Sequence, residues 1–149
     1  MTGKIEIFKR DIHGRVVEHR KINNVITDGL KEQLVHMAAG DIGPETARRC
    51  ITKMQFGSGS LAESATDTHL QLPLPALIKD VTISYPNEGL ADDYYVRFVA
   101  FLQRTQGNGF GISEAGLMCE NLTLAARKTF AAITKDPDYI LEFWWTIRC

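Results

Sequence analysis

GNGFGISEAGL, residues 107–117, decides how the chain is read. Three alternating glycines followed by a serine beside a glutamate fit a phosphate cradle, a nucleophile site or a bend between strands, and each needs different flanks. A dinucleotide loop sets its glycines between a strand and a helix whose N-terminal amides meet the phosphates. Residues 94–103, YYVRFVAFLQ, supply a strand before the glycines, but ISEAGLMC after them has β character and no helical stripe. A nucleophile at Ser113 needs a base within hydrogen-bond reach, and on a regular strand Glu114 points to the opposite face. The stretch is therefore a turn opening a strand: Gly107 and Gly109 reverse the chain, and Asn108 suits a positive φ. The second glycine-rich stretch, GSGSLAES at 57–64, lacks the lysine that a P-loop sets against phosphates.

Working outward, strands dominate. After residue 117 come LTLAARKTF and YILEFWWTIRC, separated from their neighbours by Glu120-Asn121 and by Thr134-Lys135-Asp136-Pro137-Asp138. In the last strand Tyr139, Leu141, Phe143, Trp145 and Ile147 share a face that is expected inside, while Trp144 falls with Glu142, Thr146 and Arg148. Residues 94–103, apolar on both faces in their second half, predict a central strand. LIKDVTISYP at 77–86 predicts another, and ITKMQFG at 51–57 a further one that ends in the glycine-serine turn. At the N-terminus, KIEIFKR and RVVEHRKI flank Asp11-Ile12-His13-Gly14, which predicts a β-hairpin over 1–22. One helix is expected after Thr27 or Asp28 as cap, with Leu30, Leu34, Val35, Met37 and Ala38 as a core stripe and Gly40 at its end. A polar connection with Gly43-Pro44 follows it. Residues 61–76 read as an irregular excursion or one helical turn, and Pro73 and Pro75 cannot both sit inside a ladder.

These elements predict a single domain over 1–149, mainly β: an antiparallel jelly roll or β-sandwich with one short helix in its N-terminal half. At 149 residues such a chain buries a sizeable core without metal or disulfides. Seventeen Lys plus Arg against 18 Asp plus Glu give a formal charge of −1, so the footprint of a nucleic-acid-binding protein is missing. The longest apolar run, 98–102, is far short of a membrane span, and MTGKIEIFKR has no secretory core. A soluble protein made in a cytoplasm, with neither nucleic acid nor membrane as partner, is the expectation.

No residue is marked as catalytic, cofactor-binding or metal-ligating. His13, His19, His36 and His69 lack ligand spacing, and the pairs Asp92-Asp93 and Asp136/Asp138 suit turns. Cys50, Cys119 and Cys149 are expected as free thiols. For adhesion, the residues picked out are Ile5, Ile7 and Phe8 on the first strand, as an unpaired edge, and Trp144 as an aromatic on a mostly polar face. Tyr94 and Tyr95, with Trp144, are the alternative set for stacking on sugars.

Several weak motifs recur in a fixed order: Asn24 and Thr27 with Gly29-Leu30, Phe56-Gly57 with Gly59, Thr66-Asp67-Thr68 with Leu70, Ser113-Glu114 with Gly116-Leu117, Ala126-Arg127-Lys128 with Phe130, and Trp145 with Ile147. In that order, over about residues 23–149, the chain resembles a group of small virion structural proteins of tailed bacteriophages. The N-terminal hairpin and the LPLP segment depart from the pattern. The resemblance implies a non-enzymatic, jelly-roll-like virion protein made in the bacterial host's cytoplasm. It would be a capsid cement or decoration protein bridging neighbouring subunits, or a tail or fibre-attachment component. The implied partners are the major capsid protein or tail proteins, and the chain itself as a dimer or trimer.

Overall fold

A computed structural model describes residues 1–41, 49–85 and 94–148. The Gly43-Pro44 connection, the Asp92-Asp93 pair and Cys149 lie outside the described residues. The strands are β1 (Thr2–Arg10), β2 (Val16–Ile26), β3 (Ile51–Gly57), β4 (Pro73–Asp80), β5 (Thr82–Ser84), β6 (Tyr95–Leu102), β7 (Gly111–Cys119), β8 (Leu124–Thr134) and β9 (Ile140–Arg148); one helix, α1 (Asp28–Ala38), follows β2.

The pairings are antiparallel, in the order β4-β3-β7-β8-β2-β1-β9-β6-β5. The two outermost strands, β4 and β5, are consecutive in the chain with Val81 between them, so the sheet nearly closes on itself. Its other corner is β2. Residues 16–24 pair with β1, whereas Val25 and Ile26 pair with Arg127 and Ala126 of β8. The protein is thus mainly β and antiparallel, of the β-sandwich or jelly-roll-like class, with a front layer β2-β1-β9-β6-β5 and a back layer β4-β3-β7-β8.

The core between the layers follows from strand alternation. Leu141, Phe143, Trp145 and Ile147 point inward from β9 and Ile5 and Ile7 from β1, all at 5% exposure or less. Phe143 meets Phe56 of the back layer with ring centroids 4.5 Å apart and planes tilted by 50°, so aromatic packing joins the layers. Tyr139 falls before β9 and is half-buried, its ring under the Lys9 ammonium at 4.2 Å.

The β1–β2 hairpin turns where Asp11 and Gly14 predict it. Asp11 Oδ1 accepts from the backbone N–H groups of His13 and Arg15, and Gly14 adopts φ 77°. The unpaired edge expected of β1 is absent: β1 is bonded to β2 on one side and β9 on the other. Helix α1 is capped by Thr27, whose Oγ1 accepts from Leu30 N while its hydroxyl donates to the Leu124 carbonyl. The predicted apolar stripe is only half a core face: Leu30 is buried and Leu34 packs against the core, but Val35 is 68% and Met37 41% exposed. Ala38 is exposed too, and the buried residues of the helix are Leu30 and Gln33. Both prolines lie in β4, an outer strand whose register with β3 breaks between Gln55 and Gly57; only Pro73 stands opposite a β3 residue, Gly57.

Replacing Phe143 by Ala removes one half of the interlayer pair and is expected to cost about 3–5 kcal/mol in urea denaturation. Val35→Ala, on the exposed helix face, should stay within about 0.5 kcal/mol of the parent.

Candidate functional site

Part of the motif series, Gly57, Gly59, Asp67 and Arg127, gathers around one buried group, the Glu114 carboxylate. Residues 58–72 leave β3 and return to β4 as a strap over the outside of β7 and β8, with Ser58 N bonded to Leu72 O at 2.9 Å where its ends meet. Such a loop packs on its own side chains and needs an anchor for its backbone donors. Glu114 Oε1 accepts from Gly59 N at 3.1 Å and Leu72 N at 2.7 Å, and Oε2 from Gln71 N at 3.0 Å. Arg127 Nε and Nη2 donate to the same Oε2 at 3.1 and 2.9 Å. The guanidinium reaches the strap as well, through Nη1 to Asp67 Oδ2 at 2.8 Å and Nη2 to the Leu61 carbonyl.

The glycines are explained by the same carboxylate. A Cβ on Gly57 or on Gly59 would stand 2.5 Å from Glu114 Oε1, so any side chain there displaces the anchor. Ser113 and Glu114 were expected to face apart, yet Ser113 Oγ donates to the Gly59 carbonyl at 2.8 Å while Glu114 holds Gly59 N. The reason is a bulge. Ile112 stands opposite Ile133 but Glu114 opposite Thr129, so one β7 residue faces three of β8 and the pleat is interrupted at Ser113. Ser113 is therefore a loop anchor bonded to the Gly59 carbonyl and to none of the four histidines: His19 is stacked on Phe8, His36 lies beside Asp41, His69 on the strap beside Thr68 and His13 in the hairpin turn.

Charge balance follows from these contacts. Burial opposes ionisation of Asp67 and of Glu63. For Asp67 the Ser64 N–H and Arg127 overcome it, for Glu63 chiefly Lys128 and Thr129, and both carboxyls are held below their ordinary values. Burial also works against the Arg127 charge, but Asp67 and Glu114 outweigh it and raise its pKa.

The GNGFG turn has a comparable job just before β7. Gly107 and Gly109 take φ of 70° and 83°, whereas Asn108, predicted at positive φ, does not. Its Oδ1 instead accepts from Lys135 Nζ at 2.9 Å and its Nδ2 donates to Arg104 O at 2.7 Å. Lys135 is fully buried, also donating to the Asp136 carbonyl, and burial lowers its pKa. Cys50 and Cys119 are free thiols as predicted; Cys119 lies in the core, where burial pushes its pKa up to about 11. Among the described residues no group of His, Cys, Asp or Glu is arranged to hold a metal ion, and no helix is long and apolar enough to cross a membrane.

The outer face of the front layer remains as the candidate surface. Strand registers set its side chains in rows: His19-Phe8-Glu142-Phe101, then Lys21-Glu6-Trp144-Val99-Thr82, then Asn23-Lys4-Thr146-Arg97-Ser84. Of the residues picked out from sequence, Phe8 and Trp144 belong to this face, each half-buried, with ring centroids 4.7 Å apart. Ile5 and Ile7, 0% and 1% exposed, are core residues, so they offer no surface. Trp144 is fixed on three sides: its Nε1 donates to Glu142 Oε1 at 2.6 Å, Phe8 flanks it and the Arg97 guanidinium lies 4.5 Å from its ring centroid. Glu142 in turn accepts from Arg10 Nε at 2.8 Å. Tyr94 is 73% exposed, and Tyr95 half-buried. Arg97 was missed in the sequence; alternation alone puts it on the Trp144 face, but only register puts it on the indole.

Glu114→Ala should strand the buried Arg127 charge and three strap N–H groups. The expected loss is about 3–5 kcal/mol in urea denaturation, with thermolysin cutting near Leu61 in native buffer. A strap that stays resistant would contradict the anchor. The depressed carboxyls of Asp67 and Glu63 give stability that is complete above their ordinary values, 3.8 and 4.5, and lost as pH falls through the lower folded values. An Asp67→Asn, Glu63→Gln double variant should therefore lose less stability on acidification than the parent, in denaturation series from neutral pH downward; parallel curves would refute this.

Comparison of the chain with models of protein families, with curated proteins and with solved structures finds no match.

Proposed function

We propose that the chain is a non-enzymatic structural protein of a tailed-bacteriophage particle, acting as a capsid cement or decoration protein that bridges neighbouring capsid subunits. The observation that carries this reading is the asymmetry of the two layers. The back layer is covered by the strap and α1, and several residues on which the resemblance rests, Gly59, Glu114 and Arg127, hold that cover in place. The front layer presents Phe8, Trp144 and Phe101, the last 40% exposed, on a sheet pinned along its length. Rigid aromatics on a face that no other described residues cover are the usual anchors of protein interfaces.

A lattice clamp of this kind works by mass action. Copies that touch two subunits bind only the assembled shell, since free subunits do not offer the joint site, and many weak contacts add to high avidity. A dimer or trimer around local symmetry axes fits such a lattice.

Gold labelling of intact particles is expected to place the protein on the head in hundreds of copies, and stripped particles should burst at lower temperature. Label confined to the tail would move the protein to tail or fibre attachment, and unaltered burst temperature would remove the cement role. Trp144→Ala should weaken retention on particles by about 2 kcal/mol or more while leaving the circular dichroism spectrum unchanged.

A further inference from the structure

One strand of the front layer is paired on a single side over most of its length. Residues 16–24 of β2 run beside β1, and only Val25 and Ile26 pair on the other side, with β8. Over residues 18–24 the register with β1 is regular, so β2 presents a free edge there to which no described residue is paired. The residues that border the stretches outside the described residues stand at the far end of this strand. Tyr94 precedes Tyr95, which lies level with Arg148 and Thr2, and Tyr85 follows Ser84, level with Arg97 and Thr146. Arg49 is held to Asp41 at 3.5 Å and precedes Cys50, whose carbonyl accepts from Glu120 N just past the end of β7.

Two charged residues sit on the core side of the free edge. Ile5 and Ile7 of the core stand opposite Ile22 and Arg20, and Lys9 stands opposite Glu18; His19 faces outward and stacks on Phe8. Glu18 and Arg20 pair with each other at 2.7 Å, and Arg20 also donates to the Ala131 carbonyl of β8. Their side chains keep 38% and 25% of their surface exposed. Inward charges on an edge exclude any added strand that sets the wrong residue against them. The strand that matches them is the same edge of a second copy.

We propose that the chain forms a twofold dimer in which β2 pairs antiparallel with β2 of a second copy, centred on His19. Antiparallel pairing opposes residues of the same face, so the axis must pass through a residue and not between two. Centred on His19, it sets Glu18 of each copy opposite Arg20 of the other, two cross-strand ion pairs that repeat the pair already made within each chain. A centre on Glu18, Arg20 or Lys21 would oppose like charges, and one on Ile22 or Asn23 would leave Glu18 unmatched. Charge thus selects both the partner and the register. The front layers of the two copies become one sheet, with both Phe8–Trp144 surfaces on the same side of it. Pairing over a few residues buries less than a standard interface, so the dimer is weak in dilute solution. The inference goes beyond the cement reading and does not rest on it.

Sedimentation equilibrium of the intact chain at up to about 0.5 mM is expected to fit a monomer–dimer equilibrium. Glu18→Arg and Arg20→Glu each oppose like charges across the axis and should weaken dimerisation about tenfold or more. The variant carrying both changes restores the match and should return the dissociation constant to that of the parent, with circular dichroism confirming the fold of all three. His19→Cys places a thiol on the axis, where opposed Cα atoms stand about 4.5–5.5 Å apart, within disulfide reach. Mild oxidation should link two copies through that position, read by peptide mass spectrometry against the parent chain treated alike. Lys21→Cys sets its thiol roughly 13 Å along the edge from its twin and should not link. A chain that stays monomeric throughout, a trimer, linkage at position 21 as efficient as at 19, or a double variant as weak as the single ones would each overturn the proposal. A monomer would leave the front-face reading standing.

Discussion

The contact on which the back layer depends is the Glu114–Arg127 pair. Two opposite charges on neighbouring strands, with side chains 0% and 3% exposed, would be a liability if either were left alone. Here the carboxylate takes five hydrogen bonds, three from strap N–H groups and two from the guanidinium, whose remaining donors reach Asp67 and Leu61. A fully satisfied network of this kind contributes less net stability than its Coulomb energy suggests, since both ions lost their hydration on burial. Its main effect is specificity: one loop conformation satisfies it and others leave charges stranded. Gly57 and Gly59 are part of the same constraint, because the space a Cβ would need is occupied by the carboxylate.

With the strap fixed, the molecule has one finished side. The strap covers β7 and β8 on the outside, which is why every β7 residue from Ile112 to Cys119 is buried, including those that alternate away from the core. Leu70 of the strap packs with Met118 and Leu124 as a second small apolar cluster there. Helix α1 extends the cover, tied to the strap by Asp28 N to Ala65 O at 2.8 Å and to β8 through Thr27. The front layer has no such cover among the described residues, so any surface for a partner is sought there.

Local chemistry made much of this legible in the sequence. The alternation of β9, the Asp-Gly turn of the first hairpin and the Thr27 cap each rest on rules that span a few residues, and each holds. What failed depended on register or on neighbours. Ile5 and Ile7 looked like an adhesive edge because sequence does not say that β9, more than 130 residues away, pairs with β1. Ser113 and Glu114 looked divergent because the bulge opposite them is created by β8. Val35 and Met37 looked buried because helical spacing shows a stripe but not how wide a strip of sheet it meets. The motif spacings were visible in the sequence, while the meeting of Gly57, Gly59 and Arg127 at the Glu114 carboxylate needed three dimensions.

Trp144, rather than an exposed aliphatic residue, is the proposed anchor of the front face. Val35, Leu61 and Leu122 are each 62% exposed or more, yet they sit on the helix, the strap and a turn, apart from one another. Trp144 lies near the middle of a paired strand, with its indole held by Glu142, Phe8 and Arg97 and Glu142 held by Arg10. A side chain already fixed in one rotamer loses little conformational entropy when a partner covers it, so more of its burial energy is left for affinity. Its neighbours supply the polar rim that excludes water around such an anchor. A tryptophan held this way among Glu142, Phe8 and Arg97 is the side chain on which the proposed contact of the front face rests.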